Sequence, residues 1–205
     1  MSESFPERPE PLREGRLPLL APETLDDGQR AVYDAITGGP RAGGPFRVVD
    51  DQGRLAGPFN AMLHAPAIGQ AVQQLGAALR FSGVLPARTR ELVICAVAAH
   101  WDSDYEWYAH SRVAASVGVT PSELAGLRDR RAPAGLAPGE AAALGLALSL
   151  LADRAVDDGT YAAAQTHHGH AGVVELALLV GYYQALAGLL ATADVPAPLD
   201  HPETA

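Results

Sequence analysis

The chain has 205 residues, a formal net charge of -9 and 48% hydrophobic residues. With a mean hydropathy of +0.03, a chain of this length is expected to fold as one soluble domain with a sizeable core. The negative charge argues against a nucleic acid as the main partner, because that binding depends on clustered Lys and Arg. All 15 basic residues are arginine, which excludes a lysine Schiff base and a P-loop lysine.

Residues 1–20 are rich in Pro, Glu and Arg and have little periodicity, so they predict an extended arm. The glycine-rich segment 41–58 predicts a long loop. Apolar periodicity and end signals predict helices at 24–36, 61–81 with a break at Pro66, 87–100, 103–117, 120–128, 138–152, 158–168 and 171–191. No alternating strand pattern is present. The predicted fold class is therefore all-α, with one domain over 21–196 and a tail at 197–205.

The amino terminus lacks the basic flank and the apolar core of a secretory signal. No stretch approaches the roughly 18–20 unbroken apolar residues of a membrane span. The longest run of this kind, 173–190, is interrupted by Glu175 and several polar residues. We therefore expect a cytoplasmic protein without a membrane partner.

Glu106 and His110 form the most informative pair in the sequence. They are four residues apart, so on a helix both side chains project from one face and their heads are close enough to share a proton or a substrate. Ser103 lies three residues before Glu106, which is the spacing of a capping box. The sequence therefore predicts this pair at a helix N-terminus.

Glu91 lies in the predicted helix at 87–100, whose consecutive apolar residues indicate burial on most sides. If this helix packs antiparallel to the next one, Glu91 comes within reach of His110. Cys95, the only cysteine, follows Glu91 by one turn and cannot form an internal disulfide. A free cysteine in such a run is usually a small buried hydrophobe, and a nucleophilic role stays open.

Several motifs occur in an order that resembles the carboxymuconolactone decarboxylase-like family within the alkylhydroperoxidase D-like superfamily. They are Arg90 with Glu91, Y-E-W-Y-A-H at 105–110, Gly118, G-V-V-E-L-A-L-L-V-G-Y-Y at 172–183, and the upstream G-P-F-N-A-M-L-H-A-P at 57–66. The resemblance covers about residues 20–196. It implies an all-helical fold with additional N-terminal helices and a homo-oligomer, frequently a trimer or hexamer, with a dimer as an alternative.

The redox branch of that superfamily carries a Cys-x-x-Cys motif, which this chain lacks. Aligning its histidine with His110 and its glutamate with Glu91 puts the two cysteine positions at Ser103 and Glu106. A thiol peroxidase needs an attacking thiolate and a resolving thiol. The resemblance therefore implies the acid/base chemistry of the decarboxylase branch, without a cofactor or a metal.

In that branch the implied substrate is a small carboxylated lactone or a related oxygenated organic acid. In this interpretation His110 is the general acid/base, Glu106 orients or repolarises it, and Glu91 is the second proton-handling carboxylate. The remaining candidates for substrate binding are Arg90, Arg80, Phe59, Asn60, Cys95 and Ser103. The two arginines are the nearest in sequence that could hold the departing carboxylate in a bidentate fork.

Two interpretations of the Glu91, Glu106 and His110 set remain open. The three side chains could instead form a structural hydrogen-bond network in a non-catalytic ligand-binding or assembly protein on the same scaffold. The same groups are also compatible with isomerisation or dehydration. A cavity to which His110 and Glu106 are exposed favours catalysis, whereas burial of both in protein favours a structural role.

Two further alternatives concern other side chains. A residual peroxidase would use Cys95 as its thiol. A metal site would need Glu106 and His110 to meet the crowded histidines His167, His168 and His170, and no sequence motif brings these groups together. The histidine cluster instead predicts a helix C-terminus next to Gly169, although one member could line a cavity.

Overall fold

The computed structural model describes residues 14–39 and 48–198. Within these ranges the chain forms eight α-helices and no strand: α1 Asp27–Thr37, α2 Pro58–Leu63, α3 Pro66–Phe81, α4 Ala87–His100, α5 Asp104–Ser116, α6 Pro121–Arg128, α7 Pro138–Asp153 and α8 Asp158–Ala193. The all-α prediction is confirmed. Most of the predicted arm (1–13), part of the predicted loop (41–47) and most of the predicted tail (199–205) lie outside the described residues.

Helix α4 is the centre of the fold. Its residues 92–99 are all buried, as the uninterrupted apolar run predicts, because the helix packs against α5, α7 and α8 on different sides. The helix begins after Pro86 and ends at His100. A turn through Asp102, in the left-handed conformation with φ 48°, then reverses the chain into α5. Consequently α4 and α5 pack as neighbouring antiparallel helices.

Two Ser/Thr-x-x-Glu spacings precede helices, and they have different outcomes. At α6 a capping box forms, because the Thr120 side chain accepts a hydrogen bond from the Glu123 backbone and the Glu123 side chain accepts one from the Thr120 backbone N–H. At α5 the prediction is wrong. Ser103 is the residue before the helix, but its side chain makes no capping hydrogen bond. Its backbone N–H donates to the Ala98 carbonyl oxygen, and the Glu106 side chain lies beside His110 instead.

Helix α8 is divided at Gly169, whose φ of 66° and ψ of -179° are not helical. This break separates the two helices predicted at 158–168 and 171–191. Contrary to the sequence expectation, α8 is long and apolar enough to cross a membrane by length and composition. Length and composition alone are weak evidence, since buried core helices share them, and 56% of the apolar window is buried inside the structure.

The segment before α3 contains a helix that the sequence prediction placed too late. The structure has the short helix α2 at Pro58–Leu63, fully buried, with Pro58 at its first position. Gly57 precedes it with φ 58°, and a Cβ atom there would lie 2.1 Å from the Tyr105 ring carbon Cζ. This close approach requires glycine, and it packs the start of α2 against α5.

Candidate active site

The packing of α4 against α5 brings Glu91 and His110 into direct contact. His110 Nδ1 lies 2.8 Å from Glu91 Oε2, within hydrogen-bond distance. The two residues are only 1% and 5% exposed. The antiparallel helix pair that the sequence predicts is therefore present, and it positions the imidazole against a buried carboxylate.

Glu106 lies on the other side of the same imidazole. Its Oε2 is 3.5 Å from His110 Nε2, one helical turn away on α5, and the residue is 3% exposed. Burial raises the pKa of Glu106, and the nearby Glu91 charge adds to the rise while His110 opposes it. The histidine is thus held between two carboxylates, one close and one looser.

Two tyrosines of α8 close the site on a third side. The Tyr183 ring meets the His110 ring edge to face, with centroids 4.9 Å apart at 83°. Tyr182 packs on Tyr183 in the same manner, at 5.2 Å and 85°. Burial and the two glutamates raise the pKa of Tyr183 well above its ordinary value of 10.0, so its hydroxyl stays protonated.

A small cavity of about 30 Å³ opens beside this cluster, between α2, α3, α5 and α8. Side chains from all four helices line it, including Phe59, Arg80, Tyr105, Glu106, His110 and Tyr183. A volume of this size has room for about two water molecules. The His110 imidazole and the Glu106 carboxylate therefore both face a narrow cavity.

Two of the predicted substrate-binding residues, Phe59 and Arg80, line this cavity. The prediction for Asn60 is not supported, because its side chain is buried against the segment that precedes α1. There the Asn60 side chain donates to the Pro18 carbonyl oxygen and accepts from the Leu20 backbone N–H. Asn60 therefore anchors the N-terminal segment rather than forming the cavity wall.

Cys95 also lies away from the cavity. It is fully buried and packs with Leu92, Ala114 and Leu144. Burial, with a contribution from the Glu91 charge, raises the pKa of the Cys95 thiol far above its ordinary value of 9.0. A thiol held in the protonated form is a poor nucleophile, so the structure disfavours a peroxidase based on Cys95.

Arg90 and Ser103 are likewise absent from the cavity wall. Arg90 Nε lies 3.9 Å from Glu91 Oε1, and neither of these buried atoms has a hydrogen-bond partner among the described residues. Arg90 therefore balances the charge of Glu91 instead of reaching the cavity. Ser103 lies in the turn before α5, where its carbonyl oxygen accepts the Trp107 backbone N–H.

The histidine cluster at the Gly169 break does not line the cavity beside His110. His167 and His168 line an open cleft of about 450 Å³ beside the start of α7, and His168 Nε2 lies 2.8 Å from the Gly139 carbonyl oxygen. His170 contacts the Tyr161 hydroxyl at 3.2 Å. Within 14–39 and 48–198, no three His, Cys, Asp or Glu side chains converge to hold a metal ion.

Three tyrosines of the site were not among the candidate residues that the sequence indicated. Tyr105, Tyr182 and Tyr183 are apolar enough to be predicted as core, and they are indeed buried. The available signal was positional: Tyr105 directly precedes Glu106, and the Tyr-Tyr pair ends the motif at 172–183. Only the packing of α8 against α5 shows that these rings surround His110.

Residues 66–149 match the Carboxymuconolactone decarboxylase family. This part of the chain belongs to that family. The match runs from α3 into α7, and it contains Arg80, Glu91, Glu106 and His110. The family resemblance inferred from the sequence motifs is therefore confirmed, over a shorter range than the motifs suggested. No curated protein sequence matches the chain.

Solved structures show that the family segment and the flanking helices form one known fold. A peroxidase-related protein with an alkylhydroperoxidase AhpD core from Ralstonia eutropha JMP134 is 19% identical, with a TM-score of 0.73 over 92% of this chain and 94% of that one. A peroxidase-related protein from Silicibacter sp. TM1040 is 14% identical, with a TM-score of 0.68 over 94% and 95%.

The debrominase Bmp8 has the same fold. Its cysteine-to-alanine variant in complex with 2,3,4-tribromopyrrole is 14% identical, with a TM-score of 0.64 over 89% of this chain and 93% of that one. At such identities the likeness shows the fold alone. The fold and the family match over residues 66–149 are thus shown, and the chemistry has to be argued from the residues of this chain.

Proposed function

We propose that this protein is a cofactor-free acid/base enzyme that acts on a small carboxylated lactone or a related oxygenated organic acid. The observation that carries the proposal is the position of His110 between two buried carboxylates, with His110 and Glu106 on the wall of a cavity. Decarboxylation leads among the possible reactions because residues 66–149 belong to the carboxymuconolactone decarboxylase family. Proton-transfer sites of this kind depend on paired groups with separated pKa values.

The distances favour a different division of roles from the one the sequence suggested. Glu91 is the closer carboxylate and is away from the cavity, so it accepts the Nδ1 proton of His110 and fixes the ring. This leaves Nε2 as the atom that handles protons at the cavity side. Glu106 is then the second proton-handling group, because its raised pKa lets it hold and release a proton.

For a carboxylated unsaturated lactone, the reaction breaks the bond between the ring carbon and the carboxylate carbon. The electron pair of that bond moves into the conjugated carbonyl as an enolate, and carbon dioxide leaves. His110 Nε2 or Glu106 then delivers a proton to carbon, so one proton is consumed for each carbon dioxide released. Enolisation or isomerisation uses the same groups, with a C–H bond broken in place of the carboxylate bond.

Arg80 supplies the positive charge that an anionic substrate needs. The Glu106 carboxylate on the cavity wall and the Glu91 carboxylate behind His110 both repel a third one, so a carboxylated ligand requires a nearby cation. Arg80 lines the cavity from α3, and its charge acts at Tyr183, where it opposes the rise in pKa. We assign Arg80 to the substrate carboxylate, which a guanidinium can bind with two parallel hydrogen bonds.

The size of the cavity favours a second candidate function, a structural network in a non-catalytic protein on this scaffold. A space of about 30 Å³ holds water but not a lactone ring. Catalysis therefore requires that a wall side chain such as Phe59 moves aside when substrate enters. A network that only holds α4 against α5 requires no such movement.

A substrate screen separates the two candidates. The purified protein is incubated with carboxylated unsaturated lactones and with their decarboxylated counterparts, and carbon dioxide release and double-bond migration are followed separately. We expect the wild type to turn over at least one of the carboxylated lactones. We expect His110→Ala to turn over none of them, with its helix content unchanged. If the wild type neither binds nor turns over any of these lactones, the structural role is favoured.

We also propose that the chain forms a homo-oligomer through the outer faces of α3 and the second half of α8. Six of the large exposed hydrophobic side chains lie on these helices or on the turn after α3: Ile68, Leu75, Phe81, Val84, Val174 and Leu178. Glu175, the only charged residue between 171 and 193, is buried. The two adjacent helix faces are on the order of 20 Å wide and 25 Å long, which gives about 500 Å². This is more than half of the roughly 800 Å² per partner of a stable interface.

A second copy of the chain is the occupant that this face suits. Apart from Arg80, which lies over the Phe81 ring, the exposed side chains of this face carry no charge, so both copies lose water mainly from uncharged groups. A surface of this composition is more apolar than monomeric proteins usually expose.

A further inference from the structure

One polar group at the cavity has no role in the chemistry proposed above. Tyr105 is 3% exposed and lines the same cavity as Glu106 and His110. Its hydroxyl oxygen is buried and has no hydrogen-bond partner among the described residues. A buried hydroxyl without a partner destabilises a protein, and phenylalanine would fill the same space without that cost.

The surrounding structure holds the Tyr105 ring firmly. The Cα position of Gly57 is so close that a Cβ atom there would lie 2.3 Å from Cε1 and 2.5 Å from the hydroxyl oxygen. On α5, residues 105, 106, 109 and 110 all line the cavity, as the helical repeat places them on one face. The unpaired hydroxyl is therefore a fixed group beside the imidazole and the carboxylate, not a mobile surface atom.

We propose that the Tyr105 hydroxyl donates a hydrogen bond to the carbonyl oxygen of the substrate, the atom on which negative charge develops as the enolate forms. This inference rests on the proposed acid/base function and narrows its substrate class to molecules with a carbonyl oxygen conjugated to the reacting carbon. A donor placed in advance at a developing oxyanion lowers the barrier, because it needs no reorganisation during the reaction.

The electrostatic environment keeps this group a donor. Burial, followed by the charges of Glu106 and Tyr108, raises the pKa of Tyr105 far above its ordinary value of 10.0. The hydroxyl consequently stays protonated throughout the physiological range. The other cavity tyrosines are less suited. The Tyr183 ring meets the rings of His110 and Tyr182 edge to face, and neither Tyr182 nor Tyr183 is among the described residues with a buried, unpaired hydroxyl.

The test compares Tyr105→Phe with Tyr108→Phe. Tyr108 is on the same helix and stacks on Arg112 at 3.9 Å, outside the cavity wall, so it is a matched control. The first measurement is thermal unfolding without ligand. Tyr105→Phe is expected to raise Tm by a few degrees, because it removes an unsatisfied hydroxyl, whereas Tyr108→Phe leaves Tm near the wild-type value.

The second measurement is calorimetric binding of 5-oxotetrahydrofuran-2-carboxylate, a stable carboxylated lactone. Tyr105→Phe is expected to weaken binding roughly 3- to 10-fold, the effect of one lost hydrogen bond. With a turned-over lactone, kcat should fall about 10²-fold while KM changes less, because the bond strengthens in the transition state. Tyr108→Phe should match the wild type in both assays.

The outcomes distinguish this inference from the function on which it rests. Wild-type binding that Tyr105→Phe leaves unchanged, or a Tm that falls in Tyr105→Phe, would overturn the role of Tyr105 and leave the acid/base proposal intact. Absence of binding and turnover in the wild type, with His110→Ala indistinguishable from it, would overturn both.

Discussion

Glu106 is the residue at which stability and chemistry oppose each other. Burial raises its pKa above the ordinary value of 4.5, so the folded protein holds the Glu106 proton more tightly than the unfolded chain does. The stabilising effect of that proton is fully present below about pH 4.5 and is lost as the pH rises through the folded-state pKa. Above the folded-state pKa, an ionised Glu106 therefore destabilises the fold.

We expect Glu106→Gln to raise the free energy of unfolding at about pH 8 by roughly 1–3 kcal/mol, because it removes a buried charge. The gain should shrink toward zero as the pH falls to about 4.5. Urea unfolding of both proteins between these limits measures it. A variant that is less stable than the wild type at high pH would show that ionised Glu106 stabilises the fold.

At this scale the sequence predicted the site in part. Glu106, His110 and Glu91 could be found because helical periodicity and an antiparallel turn are local properties of the chain. The placement of Asn60 could not, since its partners Pro18 and Leu20 are about 40 residues away. Tyr105 resembled core for a physical reason: its ring is packed like a core ring, and only its hydroxyl is out of place.

The start of α2 depends on one glycine. Gly57 has φ 58° and lies against the Tyr105 ring, so alanine would meet both backbone strain and a steric clash. Gly118 has φ 88°, and no atom lies within 4 Å of the place that a Cβ would occupy there, so alanine at this position meets strain alone. This difference makes Gly118→Ala a matched control.

We expect Gly118→Ala to destabilise the protein by about 1–2 kcal/mol and Gly57→Ala by about 2 kcal/mol more, because its clash must be relieved by moving a buried ring. Chemical unfolding of the two variants measures the difference. Equal losses would mean that the Tyr105 ring is free to move away from Gly57.

Helix α6 provides the opposite pH dependence to Glu106. Glu123 accepts hydrogen bonds from Arg88 and Thr120, which lower the pKa of Glu123 to about 2. Its stabilising effect is therefore present above the ordinary value of 4.5 and is lost as the pH falls toward about 2.

We expect Glu123→Gln to lower the free energy of unfolding by about 1 kcal/mol at neutral pH, since the cap and the ion pair are both near the surface. The wild type and the variant should converge near pH 2, the folded-state pKa. The free energy of unfolding of both proteins, measured from neutral pH down to about pH 2, checks this. A difference in stability that is as large at pH 2 as at neutral pH would exclude the Glu123 carboxylate as its source.

The helix ends also show where local capping signals predict the structure correctly. The box at Thr120 and Glu123 forms at a helix end where Thr120 is exposed and the Glu123 side chain is only partly buried. The same spacing at Ser103 and Glu106 fails because Glu106 is buried beside His110. Capping signals of this kind assume an exposed helix end, and tertiary packing overrides them when the end is inside the protein.

At the scale of the whole molecule, the apolar faces of α3 and α8 lead to a testable assembly. We expect light scattering after size-exclusion chromatography to give a multiple of the 21.4 kDa chain mass. Leu178→Asp should shift the population to monomer, because it places a charge in the middle of the face. Tyr161→Asp, a similarly exposed position on the first half of α8, should leave the assembly unchanged. A wild-type monomer would rule out this interface.

The fold class, the helix break at Gly169 and the family could be predicted from the sequence, because periodicity, glycine breaks and motif order are all local properties of the chain. The cavity could not, since it depends on how α2, α3 and α8 meet α5. For the same reason the sequence placed Cys95 near the pocket, whereas packing places it inside a separate apolar cluster.

We propose that an imidazole held between two carboxylates, and not sulfur, carries the chemistry of this protein. The most direct measurement is the incorporation of solvent deuterium into a carboxylated unsaturated lactone, followed by NMR for the wild type, His110→Gln and Cys95→Ala. We expect deuterium at the reacting carbon with the wild type and Cys95→Ala at similar rates, and at least a roughly 10²-fold loss with His110→Gln. Undiminished incorporation by His110→Gln, or its loss in a folded Cys95→Ala, would contradict this claim.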